Sequence, residues 1–90
     1  MRLANSERTI LSLLVEKSPS YGLELVGASG GRLTRGGIYV TLGRMEEKGL
    51  VRSVAADGGR RLYEATALGH RALVAARIFS GEIPLEGVEP

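Results

Sequence analysis

The sequence predicts a mainly α domain of the α+β class: three helices, a two-stranded hairpin and a fourth helix. Three observations predict it. Apolar residues recur at helical spacing in four separate stretches. Proline or clustered glycine punctuates the chain between the helical stretches. Asp57-Gly58, between two short β-prone runs, reads as a two-residue hairpin turn, because Asp and Gly tolerate the positive φ angles such turns need.

The first helix is "NSERTILSLLVEK". Asn5 or Ser6 caps it, with Glu7 in its first turn and Lys17 in its last. Its apolar stripe, Ile10, Leu11, Leu13, Leu14 and Val15, is wider than one small core needs. Either part of it meets a second subunit, or the helix sits centrally and is buried on both sides. Ser18-Pro19 ends the helix. Ser20 then caps a short second helix, "YGLELVGAS", with Leu23, Leu25 and Val26 on its apolar side. "GASGGRLTRGG" is a glycine-rich turn; it has no Walker lysine and follows no strand, so a phosphate-binding loop is not expected.

Thr34 caps the third helix, "RGGIYVTLGRMEEK", which ends at Gly49. Ile38, Leu42 and Met45 fall at i, i+4 and i+7 and form its buried stripe. The opposite face carries Gly36, Val40, Gly43, Arg44 and Glu47, flanked by Gly37, Thr41 and Lys48 on one side and by Arg35 and Tyr39 on the other. Glycine within a helix costs roughly 1 kcal/mol relative to alanine. A face of small residues lets a helix backbone approach another surface, such as a nucleic-acid groove. Alternatively, Gly36 and Gly37 belong to a frayed first turn and cost little. "LVRSVAA" and "RRLYEA" are the strands beside Asp57-Gly58. Thr66 caps the fourth helix, "TALGHRALVAARIF", whose Leu68, Ala72, Ala75 and Phe79 line one side while Leu73 and Ile78 lie on others. Gly81 and Pro84 end it. Residues 1–80 thus form the domain, and residues 81–90 an extended or mobile tail.

Ninety residues make one domain. At 43% hydrophobic content the core is modest, and a dimer interface would supply burial that so small a domain lacks. The absence of cysteine excludes disulfides and thiolate metal sites and fits a reducing cytoplasm. No apolar run approaches the roughly 20 residues that span a bilayer, and "MRLANSER" does not read as a signal peptide. The expectation is a cytoplasmic protein with no membrane partner. Between Arg32 and Arg61 seven bases stand against three acids, a local excess of +4, within a chain of net charge +2. A basic middle suggests a polyanion-binding surface; a solvated run of charges without a partner is the plainer alternative.

Helix, helix, helix, hairpin, helix is the order of a winged helix-turn-helix. There the second helix of the pair enters the DNA major groove and phosphate contacts hold the register. The hairpin is the wing, and arginine forks at its tip suit phosphate oxygens. The stretches "ILSLLVEKSPSYGLEL", "GGIYVTLGRMEEKGLV", "GGRRLYEAT" and "TALGHRAL" resemble the PadR family of bacterial winged-helix transcriptional regulators, from about Ile10 to Leu73. The resemblance implies a dimeric operator-binding regulator, usually a repressor, with DNA roles for Tyr39, Arg44, Arg60 and Arg61. This chain departs from the family in Gly37, where Ser or Thr is common, and in Ala65, where Leu is usual. Beyond the fourth helix only a ten-residue tail follows, in place of the long C-terminal region of many members. That leaves dimerisation to the first helix, the fourth helix and the tail, and gives no support to a small-molecule effector pocket.

The expected reading is therefore a double-stranded-DNA-binding regulator, a repressor acting as a homodimer, nucleoid-associated when bound. The DNA-contacting residues are Arg35, Gly36, Gly37, Tyr39, Val40, Thr41, Arg44 and Lys48 of helix 34–48, and Arg60 and Arg61 of wing 50–65. Val40 and Thr41 suit a thymine methyl. Tyr39 is either a DNA contact or a core-edge aromatic. Arg60 and Arg61, being consecutive, point to opposite faces of a strand, so one is expected to dominate. Tyr63 is expected to pack the wing onto the domain. The expected dimer interface is Leu11, Val15, Leu73, Arg77 and Ile78. A protein-binding winged helix, an assembly subunit or anti-repressor, is the alternative function. No enzyme is expected, since no carboxylate pair or nucleophile–base dyad is recognisable. No cofactor is expected either, and His70, the lone histidine, makes no metal site.

Overall fold

The computed structural model describes residues 2–84. Seven elements build it: α1 (Asn5–Glu16), β1 (Ser20–Tyr21), α2 (Gly22–Ala28), α3 (Ile38–Glu47), β2 (Val51–Ala55), β3 (Arg61–Ala65) and α4 (Ala67–Phe79). The strands form one antiparallel sheet in the order β1-β3-β2. Of the expected tail, residues beyond Pro84 lie outside the described residues.

Helix α1 begins at Asn5, so its cap lies one residue before Asn5 and two before Ser6. Ala4 is its N-cap, and the Glu7 carboxylate reaches back to accept the Ala4 N–H at 2.9 Å. The helix packs against α2, α3, α4 and β3, and Ile10, Leu11 and Leu14 are buried in the core. Central burial thus accounts for Ile10, Leu11 and Leu14 of the wide stripe, while Leu13 is half-buried and Val15 is left exposed. Leu11, expected at a dimer interface, is fully enclosed within its own protomer, and so is Leu73 of α4. Both expectations are corrected: the elements packed around α1 and α4 enclose these leucines, so they are unavailable to a second copy.

Ser20 does not cap a helix. It pairs with Tyr63 in β3, and Tyr21 pairs with Leu62. The Ser20 hydroxyl donates to the Lys17 carbonyl at 2.9 Å. Helix α2 is instead closed by Glu24, whose carboxylate accepts the Tyr21 N–H at 2.7 Å. In the connector, Gly30 and Gly31 adopt φ of 62° and 87°, which an L side chain resists. The Ser29 hydroxyl locks this turn, donating to the Val26 carbonyl and accepting the Leu33 N–H.

Thr34 does not cap α3, whose N-cap is Gly37; its hydroxyl instead accepts the Gly37 N–H at 3.1 Å, closing the turn before the helix. Regular α3 begins only at Ile38, so Gly36 and Gly37 belong to the preceding turn. Ile38, Leu42 and Met45 are buried as their spacing predicts. The wing loop is longer than the two-residue turn expected. Ala55 pairs with Arg61, and residues 56–60 form the tip, closed by the Ala56 N–H to the Arg60 carbonyl at 2.8 Å. The positive φ falls on Gly58 and Gly59 rather than on Asp57 and Gly58, as a two-residue Asp-Gly turn would require.

The Thr-x-x-Gly at the wing exit has a packing cause. Thr66 Oγ1 accepts the Gly69 N–H at 3.1 Å and donates to the Gly49 carbonyl at 2.5 Å. A Cβ on Gly69 would fall 2.1 Å from the Leu50 carbonyl oxygen. Only glycine lets α4 start this close to β2. Tyr63 is buried and packs the wing on the core. Among the described residues no helix is long and apolar enough to cross a membrane.

Candidate nucleic-acid interface

The stripe Ile38, Leu42 and Met45 turns the rest of α3 outward. Tyr39 and Val40 are 52% and 57% exposed. Arg35 and Gly36 are exposed in the turn before the helix, Arg44 is exposed in its last turn, and Gly37, Thr41 and Gly43 are half-buried. Arg35 and Arg44 enter no ion pair among the described residues.

Tyr39 is held from beneath by α2. A Cβ on Gly22 would meet the Tyr39 ring at 2.8 Å, so the glycine is what lets this ring lie on the first turn of α2. Tyr39 therefore has the character of a core-edge aromatic: its inner edge packs and half its surface faces solvent.

The two wing arginines differ. Arg60 lays its guanidinium over the Tyr21 ring, with Cζ 4.2 Å from the ring centroid. Arg61 turns to β2, donating from Nε to Ser53 Oγ at 2.8 Å and from Nη2 to the Ser53 carbonyl at 3.4 Å. The Ser53 hydroxyl donates in turn to Glu46 of α3 at 2.9 Å. On the outer face of the wing Arg52 pairs with Glu64, directly opposite it in the ladder. Burial and the nearby Glu46 charge push the Tyr63 phenol above its usual pKa.

Lys48 is placed differently from its expected role. Its ammonium lies 2.7 Å from the Glu7 carboxylate, which is only 5% exposed. Burial pushes the Glu7 carboxyl up, but hydrogen bonds from Lys48 and the Ala4 N–H, with the charges of Lys48 and Arg44, outweigh burial. The net position is below the usual carboxylate range. Lys48 is thus a brace between the end of α3 and the start of α1. Its charge is paired there with Glu7, although the side chain stays half exposed.

Of the residues expected at a dimer interface, Val15 is 41% exposed, and Arg77 and Ile78 are half-buried. Arg77 donates to Ser12 across the α1–α4 contact at 3.2 Å. Phe79, at the end of α4, is 82% exposed. A polar groove of about 750 Å³ is lined by residues of α1, the α2–α3 connector and the end of α4, among them Arg8, Arg32 and Arg77. No residue of α3 or the wing lines it.

Sequence reasoning missed Glu7, Tyr21, Ser53 and Glu46 as parts of this surface. Glu7 carries a first-turn signal, but nothing in one dimension joins it to Lys48. Tyr21 was visible only as the residue before Gly22, since a two-residue strand has no alternation to read.

The model of the PadR-like transcriptional regulator family matches residues 10–75. No curated protein matches the chain. Among solved structures, the PcaV transcriptional regulator from Streptomyces coelicolor is similar at 22% identity and a TM-score of 0.79, over 88% of this chain and 58% of that one. The transcriptional repressor CouR, bound to a 23-mer DNA duplex, is similar at 18% identity and 0.77, over 89% and 56%. The transcriptional regulator BldR from Sulfolobus solfataricus is similar at 24% identity and 0.76, over 91% and 58%. The chain spans less than two thirds of the length of these structures, and the likeness establishes a shared winged-helix fold. The three helices, the wing after α3 and the family match over most of the chain lead to one assignment: this chain belongs to the PadR-like family of transcriptional regulators.

Proposed function

We propose that this chain binds operator DNA as a cytoplasmic homodimer and represses transcription from it. Residues 1–80 are the DNA-binding domain, with α4 as the dimerisation helix. Helix α3 enters the major groove, with Arg35, Gly36, Gly37, Tyr39, Val40, Thr41 and Arg44 toward DNA. The wing contacts the adjacent backbone through Arg60 and, less strongly, Arg61. Lys48 contributes indirectly, by holding α3. The observation that carries this reading is the surface made by α3 and the wing tip. Exposed Arg35, Arg44 and Arg60 make no ion pair among the described residues, and Tyr39 and Tyr21 join the two elements through Gly22. CouR, a repressor of similar fold, is bound to a DNA duplex, which supports a DNA-binding reading.

The dimer is supported by apolar surface left on α1 and α4, where Val15, Val74 and Phe79 are exposed beside half-buried Ile78. The test is selection of bound fragments from random duplex DNA, followed by affinity measured against salt. A defined operator, and affinity falling linearly in log K against log salt, are expected. No enriched sequence and no salt-dependent duplex binding would leave the protein-interaction module as the function.

A further inference from the structure

We propose that Tyr21 is a positioning residue for DNA contact: its ring pre-sets the Arg60 guanidinium, and this makes Arg60 rather than Arg61 the wing's main phosphate contact. The inference rests on the DNA-binding reading and assigns a role to a residue outside the helix and wing.

The ring is itself fixed. Tyr21 pairs with Leu62 in the sheet, its N–H is bonded to Glu24, and the next residue, Gly22, lies under Tyr39. Arg60 stacks on it with Cζ 4.2 Å from the centroid, inside the roughly 6 Å reach of a cation–π contact. Its Nε donates to the Asp57 carbonyl at 3.3 Å, which holds the side chain along the tip. A guanidinium stacked by its face keeps its in-plane N–H groups available for a phosphate fork. The terminal nitrogens of Arg60 have no protein acceptor among the described residues. An arginine held this way has lost much of its rotamer freedom before DNA arrives.

Arg61 is in the opposite condition. Two of its nitrogens are bonded to Ser53, whose hydroxyl continues to the Glu46 carboxylate. To meet a phosphate through its Nε–Nη2 edge, as a fork requires, Arg61 must break these bonds and leave Ser53 with a lost partner; only its Nη1 end stays unengaged. The chemistry of the two neighbours therefore decides between two adjacent arginines that the sequence alone presents as equivalent.

The test has one arm without DNA and one with it. In proton NMR of the free protein, the ring current of Tyr21 should shift the Arg60 side-chain protons upfield. The shift should persist in Tyr21→Phe and vanish in Tyr21→Leu. On duplex DNA, Tyr21→Leu should lower affinity about two- to five-fold, the range of an exposed or partly desolvated cation–π contact. Tyr21→Phe should bind like the parent. Arg60→Ala should lose more than Arg61→Ala, and adding Tyr21→Leu to Arg60→Ala should change nothing further. Losses that multiply in the double variant overturn the proposal, as does a Phe variant as weak as the Leu variant, or the absence of the upfield shift in the parent. If the parent shows the shift yet binds no duplex, the stack stands but the DNA reading fails, and the proposed role falls with it.

Discussion

The Lys48 ammonium lies 2.7 Å from a Glu7 carboxylate that is almost wholly buried, so the C-cap of α3 is tied to the first turn of α1. The pair spans 41 residues of sequence. Because the Glu7 carboxyl is held below its usual range, the folded state binds its proton less readily than the unfolded chain does. Its contribution to stability is complete above the ordinary carboxylate range and is lost as pH falls through the lower folded value. Glu7→Gln should therefore destabilise the protein at pH 7 by about 1–2 kcal/mol, discounted because Lys48 is half exposed and remains solvated. The difference from the parent should shrink toward zero in acid. Urea unfolding of both proteins at neutral pH and near pH 3 checks it. A gap that persists in acid would show that the carboxylate charge is not what Glu7 contributes.

The same pair predicts a division among the basic residues of the α3 segment. Lys48→Ala should cost stability while leaving the salt dependence of DNA binding nearly unchanged, since its charge is already paired with Glu7. Arg44→Ala should leave stability almost unaltered, being exposed and in no ion pair among the described residues. It should cost about 1–3 kcal/mol of binding if it reads a base, or reduce the salt slope by about one per subunit if it holds phosphate. Equal slope changes for the two variants would place Lys48 on the DNA after all.

Gly69 offers the sharpest test of the fold. A Cβ there would sit 2.1 Å from the backbone carbonyl oxygen of Leu50 and 3.1 Å from Leu11 Cδ2. Backbone cannot move aside as a flexible side chain does. Gly69→Ala should therefore destabilise by about 3 kcal/mol or more, above the usual range for a single substitution, despite the gain in helix propensity. Thermal unfolding measures it. Gly27→Ala, where a Cβ meets nothing within 4 Å, is the control and should be neutral or stabilising.

These residues also mark how far the sequence could be read. The buried stripe of α3 was legible because helical periodicity acts within one element, and the wing because Asp57, Gly58 and the flanking β-prone runs are local signals. Strand β1 was illegible: its two residues pair with β3 some 40 positions away, and no periodicity survives over that length. The wide stripe of α1 pointed equally to a dimer or to central burial, because a burial pattern does not say what does the burying. Leu11 and Leu73 were misplaced on that account. At the candidate interface the exposed face of α3 followed from its buried face. The partners that distinguish Arg60 from Arg61 and withdraw Lys48 are long-range contacts, visible only once the elements are packed.

Burial of Leu73 makes it unsuitable as a probe of assembly. An acidic substitution there would unfold the protomer rather than split a dimer, so the informative site is Phe79, which is 82% exposed. Phe79→Asp should leave the protomer folded by circular dichroism and shift the protein to monomer mass in sedimentation at micromolar concentration. Affinity for a two-fold operator should fall with it, since two half-sites are then bound independently. A parent that sediments as a monomer at high micromolar concentration would exclude the homodimer. A dimer that survives Phe79→Asp unweakened would move the interface away from the end of α4.

Gly43 stands within α3 with ordinary helical geometry, and a Cβ on it would meet nothing within 4 Å. Nothing in the protomer calls for glycine there, although glycine weakens a helix by about 1 kcal/mol relative to alanine. The neighbouring Gly36 is different, because it lies in the turn before α3, where its effect on helix stability is small. A requirement at Gly43 must then come from outside the protomer, and the exposed Val40 one turn earlier points to the groove-facing side of the helix. Gly43→Gln should raise stability by several tenths of a kcal/mol. It should nevertheless weaken operator binding roughly tenfold, about 1.4 kcal/mol, because a long side chain holds the backbone off the base edges. Gly43→Ala, with one methyl group, should show the same gain in stability and a smaller loss of binding. Thermal unfolding and titration on operator and scrambled duplex separate the two effects. If Gly43→Gln binds the operator as tightly as the parent, α3 does not lie deep in the groove, and its DNA contacts come from the Arg35–Tyr39 end alone.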